Sequence, residues 1–453
     1  MSRVWYQSGL VVLCLSCFFT TEESYSAPLP KPVVELEQIK QQISELIEKL
    51  DSNQRVVRQR AEIQLVALGK PVLSLLPPPE LVSSNSVREA LQRVRLEIEK
   101  QAAKDSIKAS HVNLKGKFSL KQILSAITDQ TGNQLDATNL PEPVLQQNIS
   151  VNYVEVPFWK TIDDLARKVP LTYQINGSNG HLMFRQNPAK EQPSKKTTPQ
   201  VYYNGPFRIE VEAIQRRPLV GSMNRELLRA TFLIQVEPRL RPLFLSYAAG
   251  EIKAVGDSKL NLPPFNPYAK YELPLGEGGK DLKFTMQWLM NSMQRPKSIQ
   301  IQGRLQMELA AETLPITFDD LFQSQGAIRR RGNVSVELIE AEKINLASTQ
   351  DLSVRVALSY DYGGPAFESH RTWIYHNRTF LQDPQGKKYW LNGSSQTTLE
   401  SAGKISVLYR FTDLPRNQAN YQFTYLAPTL ITSAPIEFHF EKLEFPATAT
   451  NAD

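Results

Sequence analysis

Apolar residues recur at helical spacing near the start of the chain, at Leu36, Ile39, Ile43, Leu46, Ile47 and Leu50, and predict an amphipathic helix over residues 34–50. Asp51 or Ser52 stands where a cap for a second helix is expected, over 53–69, with Val56, Ala61, Leu65 and Leu68 on its apolar side. Pro77-Pro78-Pro79 breaks the chain, and Ser86-Val87-Arg88-Glu89 reads as a capping box for a third helix reaching about Lys104. The pattern then repeats itself. Val112-Asn113-Leu114 leads into a helix with an apolar face of Leu120, Ile123, Leu124 and Ile127, capped by Ser119 with Gln122. Roughly 40 residues later Val151-Asn152-Tyr153 leads into a helix with Trp159, Ile162, Leu165 and Ala166 on its apolar face. Leu171-Thr172-Tyr173-Gln174-Ile175, a turn over 176–180 and His181-Leu182-Met183-Phe184-Arg185 complete a strand, helix, strand order, twice over. Beyond a stretch with Pro188, Pro193 and Pro199 the period becomes two, at 207–212, 228–236, 298–302 and 314–318. The scheme restarts about 120 residues on, at 334–338, 352–358 and 434–438.

These patterns predict a multidomain α+β chain. Val56, Arg58, Ala61, Leu65, Leu68 and Gly69 together resemble one helix of a HEAT-type repeat, which makes residues 27–106 a HEAT-like helical module. The duplicated βαβ segment, 107–187, resembles the short N-terminal domain of secretins and TonB-dependent receptors, in which a strand, a helix entered at a Pro-Leu motif and a second strand are repeated. Val156-Pro157-Phe158-Trp159-Lys160-Thr161-Ile162 and Lys117-Phe118-Ser119-Leu120-Lys121-Gln122-Ile123 occupy that motif. The resemblance covers less than a fifth of the chain and implies an exported setting and a module used for docking to other proteins. No pore or barrel segment follows it, so the channel activity of those families is not implied. Residues 188–204 read as a linker, 205–325 and 326–446 as two tandem antiparallel Ig-like β-sandwiches, and 447–453 as a tail. The Cys and Trp signature of true immunoglobulin domains is absent.

The N-terminus supplies an address. Arg3 precedes an apolar stretch over 9–19, then Thr20-Thr21-Glu22-Glu23 and Ser24-Tyr25-Ser26-Ala27-Pro28, the order of a secretory signal peptide cut after Ser26. A cut after Ala27 would place Pro28 at the new end. About 11 apolar residues are too few to anchor across a bilayer, and a lipid attached at Cys17 would have Cys14 where such sites carry an aliphatic residue. Cleavage removes both cysteines, so the mature chain must hold together by packing. The 453 residues carry +6. The signal segment, Arg3 against Glu22 and Glu23, accounts for −1 of that, leaving the mature chain at about +7. A chain 41% hydrophobic and 22% charged is neither disordered nor polytopic, and no transmembrane span is expected in its mature part. Export to the periplasm or beyond makes envelope proteins or polysaccharide the expected partners and excludes nucleic acid. Arg216-Arg217 and Arg329-Arg330-Arg331 read as solvated strand ends.

Little in the sequence points to chemistry. His370 and His376, with Asp361 and Asp383, are the best arranged metal-ligand types. Six residues along a strand nevertheless separate the histidines by about 20 Å, too far for one ion. Asp163-Asp164, Asp319-Asp320 and Glu340 with Glu342 are the carboxylate pairs, and Asp163-Asp164 falls on an expected solvated helix face. The nucleophile elbow, the phosphate-cradling loop, the zincin motif and the dinucleotide fingerprint are all missing, so no catalytic residue, metal or cofactor is assigned. Aromatic residues crowd the last domain, and His370, Trp373, His376 and Trp390 form the candidate ligand-binding set. Such rings either fill a sandwich core or stack on sugars. The expected function is a non-enzymatic exported envelope protein acting as a docking or structural scaffold. The alternative is a secreted carbohydrate-binding protein or hydrolase acting through the C-terminal sandwich.

Overall fold

The computed structural model describes residues 33–77, 82–187, 200–275, 282–293, 296–331, 334–346, 348–360, 377–401, 404–416 and 420–445. Residues 1–26, expected from their sequence to be a signal peptide, most of the 188–204 stretch expected to be a linker and the 447–453 tail lie outside them. The chain divides into two compact units, 1–94 and 95–453, with the division inside the third helix.

The first unit holds α1 (Val33–Leu50), α2 (Arg55–Ala67), a 3-10 turn at Lys70–Ser74 and the start of α3 (Asn85–Ser106). Ile43, Leu46 and Leu50 of α1 are buried, as helical spacing requires. The capping expectations fail in detail. Gln54 precedes α2 without a side-chain cap, while Asp51 accepts hydrogen bonds from the Ser84 and Ser86 hydroxyls at 2.7 and 3.1 Å. Ser86 already lies inside α3. The HEAT-like module and the α+β class are also overturned. Strand makes up 52% of the described residues against 24% helix, so the chain is mostly β. A repeat helix is buried between neighbours on two sides. Here α2 buries only Ala61 and Leu65 and leaves Val56 and Ile63 in solvent.

The second unit opens with the duplicated segment: β1 (His111–Ser119), α4 (Leu120–Thr131), β2 (Leu135–Asp136), α5 (Glu142–Leu145), β3 (Asn148–Pro157), α6 (Phe158–Lys168), β4 (Leu171–Ile175) and β5 (Leu182–Gln186). The opening strands of the two halves, β1 and β3, pair antiparallel, and β2, β5 and β4 form a second sheet in which β2 and β5 run parallel. Ser119 and Gln122 make the reciprocal capping box at the start of α4. Leu120, Ile123 and Ile127 of α4 meet Phe158, Ile162 and Leu165 of α6 in one core.

The remaining strands are β6 (Gln200–Asn204), β7 (Phe207–Pro218), β8 (Arg225–Val236), β9 (Arg241–Ala248), β10 (Lys253–Gly256), β11 (Leu260–Leu262), β12 (Lys270–Pro274), β13 (Leu282–Asn291), β14 (Ser298–Phe318), β15 (Ile328–Arg331), β16 (Val334–Asn345), β17 (Thr349–Tyr360), β18 (Thr379–Gln382), β19 (Lys388–Trp390), β20 (Ser395–Ser401), β21 (Lys404–Pro415) and β22 (Gln422–Glu444). The last five linker residues are therefore strand, paired with β7. The order β13-β8-β7-β6 makes one sheet and β15-β16-β17-β21-β20 another. A third sheet of eight strands is built around β14 and β22.

That third sheet decides the architecture. β14 and β22 pair from Ser298 opposite Glu444 to Phe318 opposite Phe423, a ladder of about 70 Å at ~3.3 Å per residue. One core takes Leu305, Met307 and Leu309 of β14 with Ala434, Ile436, Phe438 and Phe440 of β22, against Phe232 and Phe284 of the β6–β8 and β13 sheet. The other takes Ile316 and Phe318 with Phe423, Tyr425 and Ala427, against Val354, Val356, Tyr409 and Phe411 of the β15–β17, β20 and β21 sheet. The inward positions change parity between the two stretches, which in alternating strands puts the two cores on opposite faces. Phe244 of β9 agrees: it stands opposite Glu308 and packs in the second core, while its neighbour Leu245 packs in the first. The β-sandwich-like, multi-sheet fold is thus two lobes on one shared sheet. A boundary between residues 325 and 326 does not separate the lobes, because 316–318 belong to the second core and 434–443 to the first.

Candidate functional site

Two clusters of buried charge join the duplicated segment to the first lobe. α6 turns Trp159 and Ile162 inward, and Asp163 follows one turn after Trp159. Trp159 Nε1 donates to the Pro206 carbonyl at 3.0 Å, in the turn between β6 and β7. Asp163 accepts from the hydroxyls of Tyr173 and Tyr203 and from Arg208 Nε, the last at 2.9 Å. Arg208, only 5% exposed, also donates from Nη1 to Glu210 at 2.6 Å and to Gln235 at 2.9 Å. Burial opposes the Arg208 charge, but Tyr173, Asp163 and Glu210 outweigh it and hold the guanidinium above its ordinary pKa. Burial pushes the Tyr173 and Tyr203 hydroxyls up, and the neighbouring Asp163 carboxylate adds to it, so both stay protonated donors.

Glu237, 1% exposed, is the centre of the second cluster. It accepts from Ser110 N at 2.9 Å, Ser110 Oγ at 2.7 Å, Asn133 Nδ2 at 3.3 Å and Arg239 Nε at 2.7 Å. Arg239 extends the cluster, donating from Nη1 to the Ser106 carbonyl and from its backbone N to Asn133 Oδ1. Three of these donors converge on Oε2 and one on Oε1, all of them groups of the protein itself, so the carboxylate is engaged inside the seam. Both clusters therefore act as clamps.

The adjacent acids of α6 diverge, and neither is simply solvated. Asp163 enters the clamp. Asp164 accepts from Tyr153 Oη at 2.9 Å and pairs with Lys168 at 2.8 Å. Burial acts to raise the Asp164 pKa, but its bonds to Lys168 and Tyr153 and the charges of Lys168 and Arg167 bring it below the usual value.

A third contact reaches the second lobe. The ring of Trp390 lies 4.9 Å from Phe380 and meets His181 edge-on at 6.4 Å. Beside it Arg378 packs on Gly180, so closely that a Cβ there would fall 1.9 Å from the Arg378 Cζ. Burial brings the Arg378 pKa down to about 10. The adjoining cavity, lined by Ile175, Ile234, Val236, Leu240 and Leu282, has room for about one water at about 10 Å³.

Of the candidate ligand-binding set, His370, Trp373 and His376 lie outside the described residues, as does Asp361. Trp390 is half-buried against Phe380 and His181, a packing position. Asp383 closes the β18–β19 hairpin, accepting from Gln385 N, Lys387 N and Tyr389 Oη at 2.8 to 3.0 Å. Among the described residues no group of three or more His, Cys, Asp or Glu could hold a metal ion. No helix there is long and apolar enough to cross a membrane.

An open cavity of about 520 Å³ lies elsewhere, beside β9, β12 and β14. Tyr247 and Tyr271 stack in it at 5.0 Å, with Glu251, Lys270, Arg304 and Gln306 around them. Burial, with Tyr271 adding to it, raises the Tyr247 pKa to about 12.

Sequence reasoning passed over Arg208, Glu237 and Asn133. Arg208 alternates with the buried Phe207 and Ile209, so a period of two assigns it to solvent. Covering that outer face with α6 is a long-range event. The one local hint is Trp159, a large ring entering a short helix beside an acid. No family model matches the chain, and comparison with curated proteins and with solved structures found no match.

Proposed function

We propose that this is a non-enzymatic protein exported to the cell envelope, where its joined modules form a rigid scaffold that docks or spaces other macromolecules. The observation that supports it most directly is the pair of clamps. Asp163, Arg208, Glu237 and Arg239, groups that catalysis would place in a cleft, are closed on one another at a seam, where they hold the duplicated segment against the first lobe. The basic-apolar-small order of residues 1–26 supports export. In this reading the duplicated segment is the docking module, as its resemblance to the secretin and TonB-type short domain suggests. Crosslinking of the protein in intact envelopes, followed by isolation and mass spectrometry, tests it. Stoichiometric crosslinks from β1, β3 or α6 to one envelope protein are expected, and Asp163→Asn/Arg208→Ala, which loosens the seam, should weaken them. A turnover of envelope substrate by the purified chain would overturn the reading.

The stacked Tyr247 and Tyr271 favour a second reading, polysaccharide binding, in the first lobe rather than the C-terminal one. Retention on a polysaccharide column that Tyr271→Ala abolishes supports it. Retention unchanged in that variant removes it.

A further inference from the structure

The β7–β8 hairpin ends in Leu219-Val220-Gly221-Ser222-Met223-Asn224, where Leu219 is half-buried while Val220 and Met223 stand in solvent. Val220 is 98% exposed and Met223 101%. Met293, just after β13, is 80% exposed. The two turns are tied together, since Ser292 N donates to the Asn224 carbonyl at 3.1 Å. The hairpin turn is itself well formed: Leu219 N bonds the Arg225 carbonyl at 3.0 Å, Ser222 N bonds the Leu219 carbonyl at 3.1 Å, and Gly221 takes φ +84. A turn of this kind is served equally well by polar residues, so its geometry does not call for valine and methionine at the tip.

The surroundings are basic. Arg217 and Arg225 are exposed on the two strands below the tip, and Lys297 is exposed after the neighbouring turn, where its backbone N donates to the exposed Asp257 carboxylate at 2.9 Å. Arg217 donates to its neighbour Gln215 at 3.1 Å and meets no carboxylate among the described residues. Arg216 is used inside the fold, lying over the Phe445 ring at 3.9 Å and bonding the Pro296 carbonyl. Glu226, half-buried, is the acid next to them in sequence.

Three apolar side chains on a protruding tip fall far short of the roughly 800 Å² per partner that a stable protein interface buries. They match what a bilayer interface accepts: a few apolar groups below the headgroups, with cations level with the phosphates. We propose that the β7–β8 tip, together with Met293, docks the protein reversibly on a bilayer containing anionic lipid, with Val220, Met223 and Met293 entering the interface and Arg217, Arg225 and Lys297 facing the headgroups. This goes beyond the scaffold reading and does not depend on the identity of its protein partner.

Cosedimentation of the mature chain with phosphatidylcholine vesicles, with and without phosphatidylglycerol, tests the proposal. Binding is expected to the phosphatidylglycerol vesicles, weakening as salt is raised. Val220→Ser/Met223→Ser should lower the partition coefficient at least tenfold with an unchanged melting temperature, because both side chains are already in solvent. Arg217→Gln/Arg225→Gln should lower binding and flatten its salt dependence. Absence of binding at low salt overturns the proposal. So does equal binding by Val220→Ser/Met223→Ser, which would mark general adhesion of a basic protein. A wild-type dimer in sedimentation velocity that Val220→Ser/Met223→Ser converts to monomer also overturns it and assigns the tip to a second copy.

Discussion

Arg208 and Asp163 meet at 2.9 Å across the seam between β7 and α6, the arginine at a position that strand alternation assigns to solvent. Two modules that look separable along the chain are held by this pair and by the Glu237 cluster.

Removing one member leaves the other charge buried. Arg208→Ala or Asp163→Asn is expected to cost ~3–5 kcal/mol, the usual loss when one side of a buried ion pair is deleted. Urea unfolding of both single variants and the double variant gives the coupling. Strictly additive losses would show that the two side chains do not stabilise each other.

The lobes share β14 and β22, so damage to one core should be felt by both. Phe318→Ala in the second core and Phe438→Ala in the first are each expected to cost ~3–5 kcal/mol. Calorimetry should still show the lobes melting together. Two resolved transitions, each moved by only one substitution, would contradict the shared sheet.

His181 ties the seam to pH. Burial and the positive Arg378 and Lys388 lower its pKa below the ordinary 6.5, with Asp136 opposing. A lowered folded value means the unfolded chain binds the proton first. Stability is then full above about pH 6.5 and falls as pH drops through that value toward the folded one. His181→Gln should flatten the denaturation midpoint between about pH 7 and 5. The same slope in the variant would place the sensitivity elsewhere.

Gly180 has φ +74, and a Cβ there meets the Arg378 guanidinium. Gly180→Ala is expected to lower the melting temperature, through ~1–2 kcal/mol of left-handed backbone cost and a displaced arginine. In an Arg378→Ala background the loss should shrink to the backbone part. An equal loss in both backgrounds would show that the contact does not matter.

Much of the local structure is readable from residue order. Ser119 with Gln122 marks the start of α4, Trp159, Ile162 and Leu165 mark the buried face of α6, and alternation marks the strands that became β8 and β17. The N-terminal helices are equally legible, yet their grouping into a HEAT-like repeat fails, because helical spacing does not say whether a second face is covered. Of the candidate ligand-binding set, Trp390 alone falls among the described residues. Trp390 packs against Phe380 and His181, whereas the half-buried Asp163 and the buried Glu237 look from the sequence like surface acids.

Periodicity reports how a residue relates to neighbours two to four positions away, and at that range the amino-acid sequence determined helices, strands, the cap of α4 and the polar character of residues 188–204. Partnership is different. Ile316 and Phe318 follow the first lobe in sequence but pack in the second, and Ala434 to Phe440 do the reverse. Alternation along a strand is the same whichever sheet it faces. Only the tertiary structure could hand β14 and β22 from one core to the other, or bring Asp163 to Arg208, because those choices depend on contacts between segments tens to hundreds of residues apart, which desolvate both partners at once.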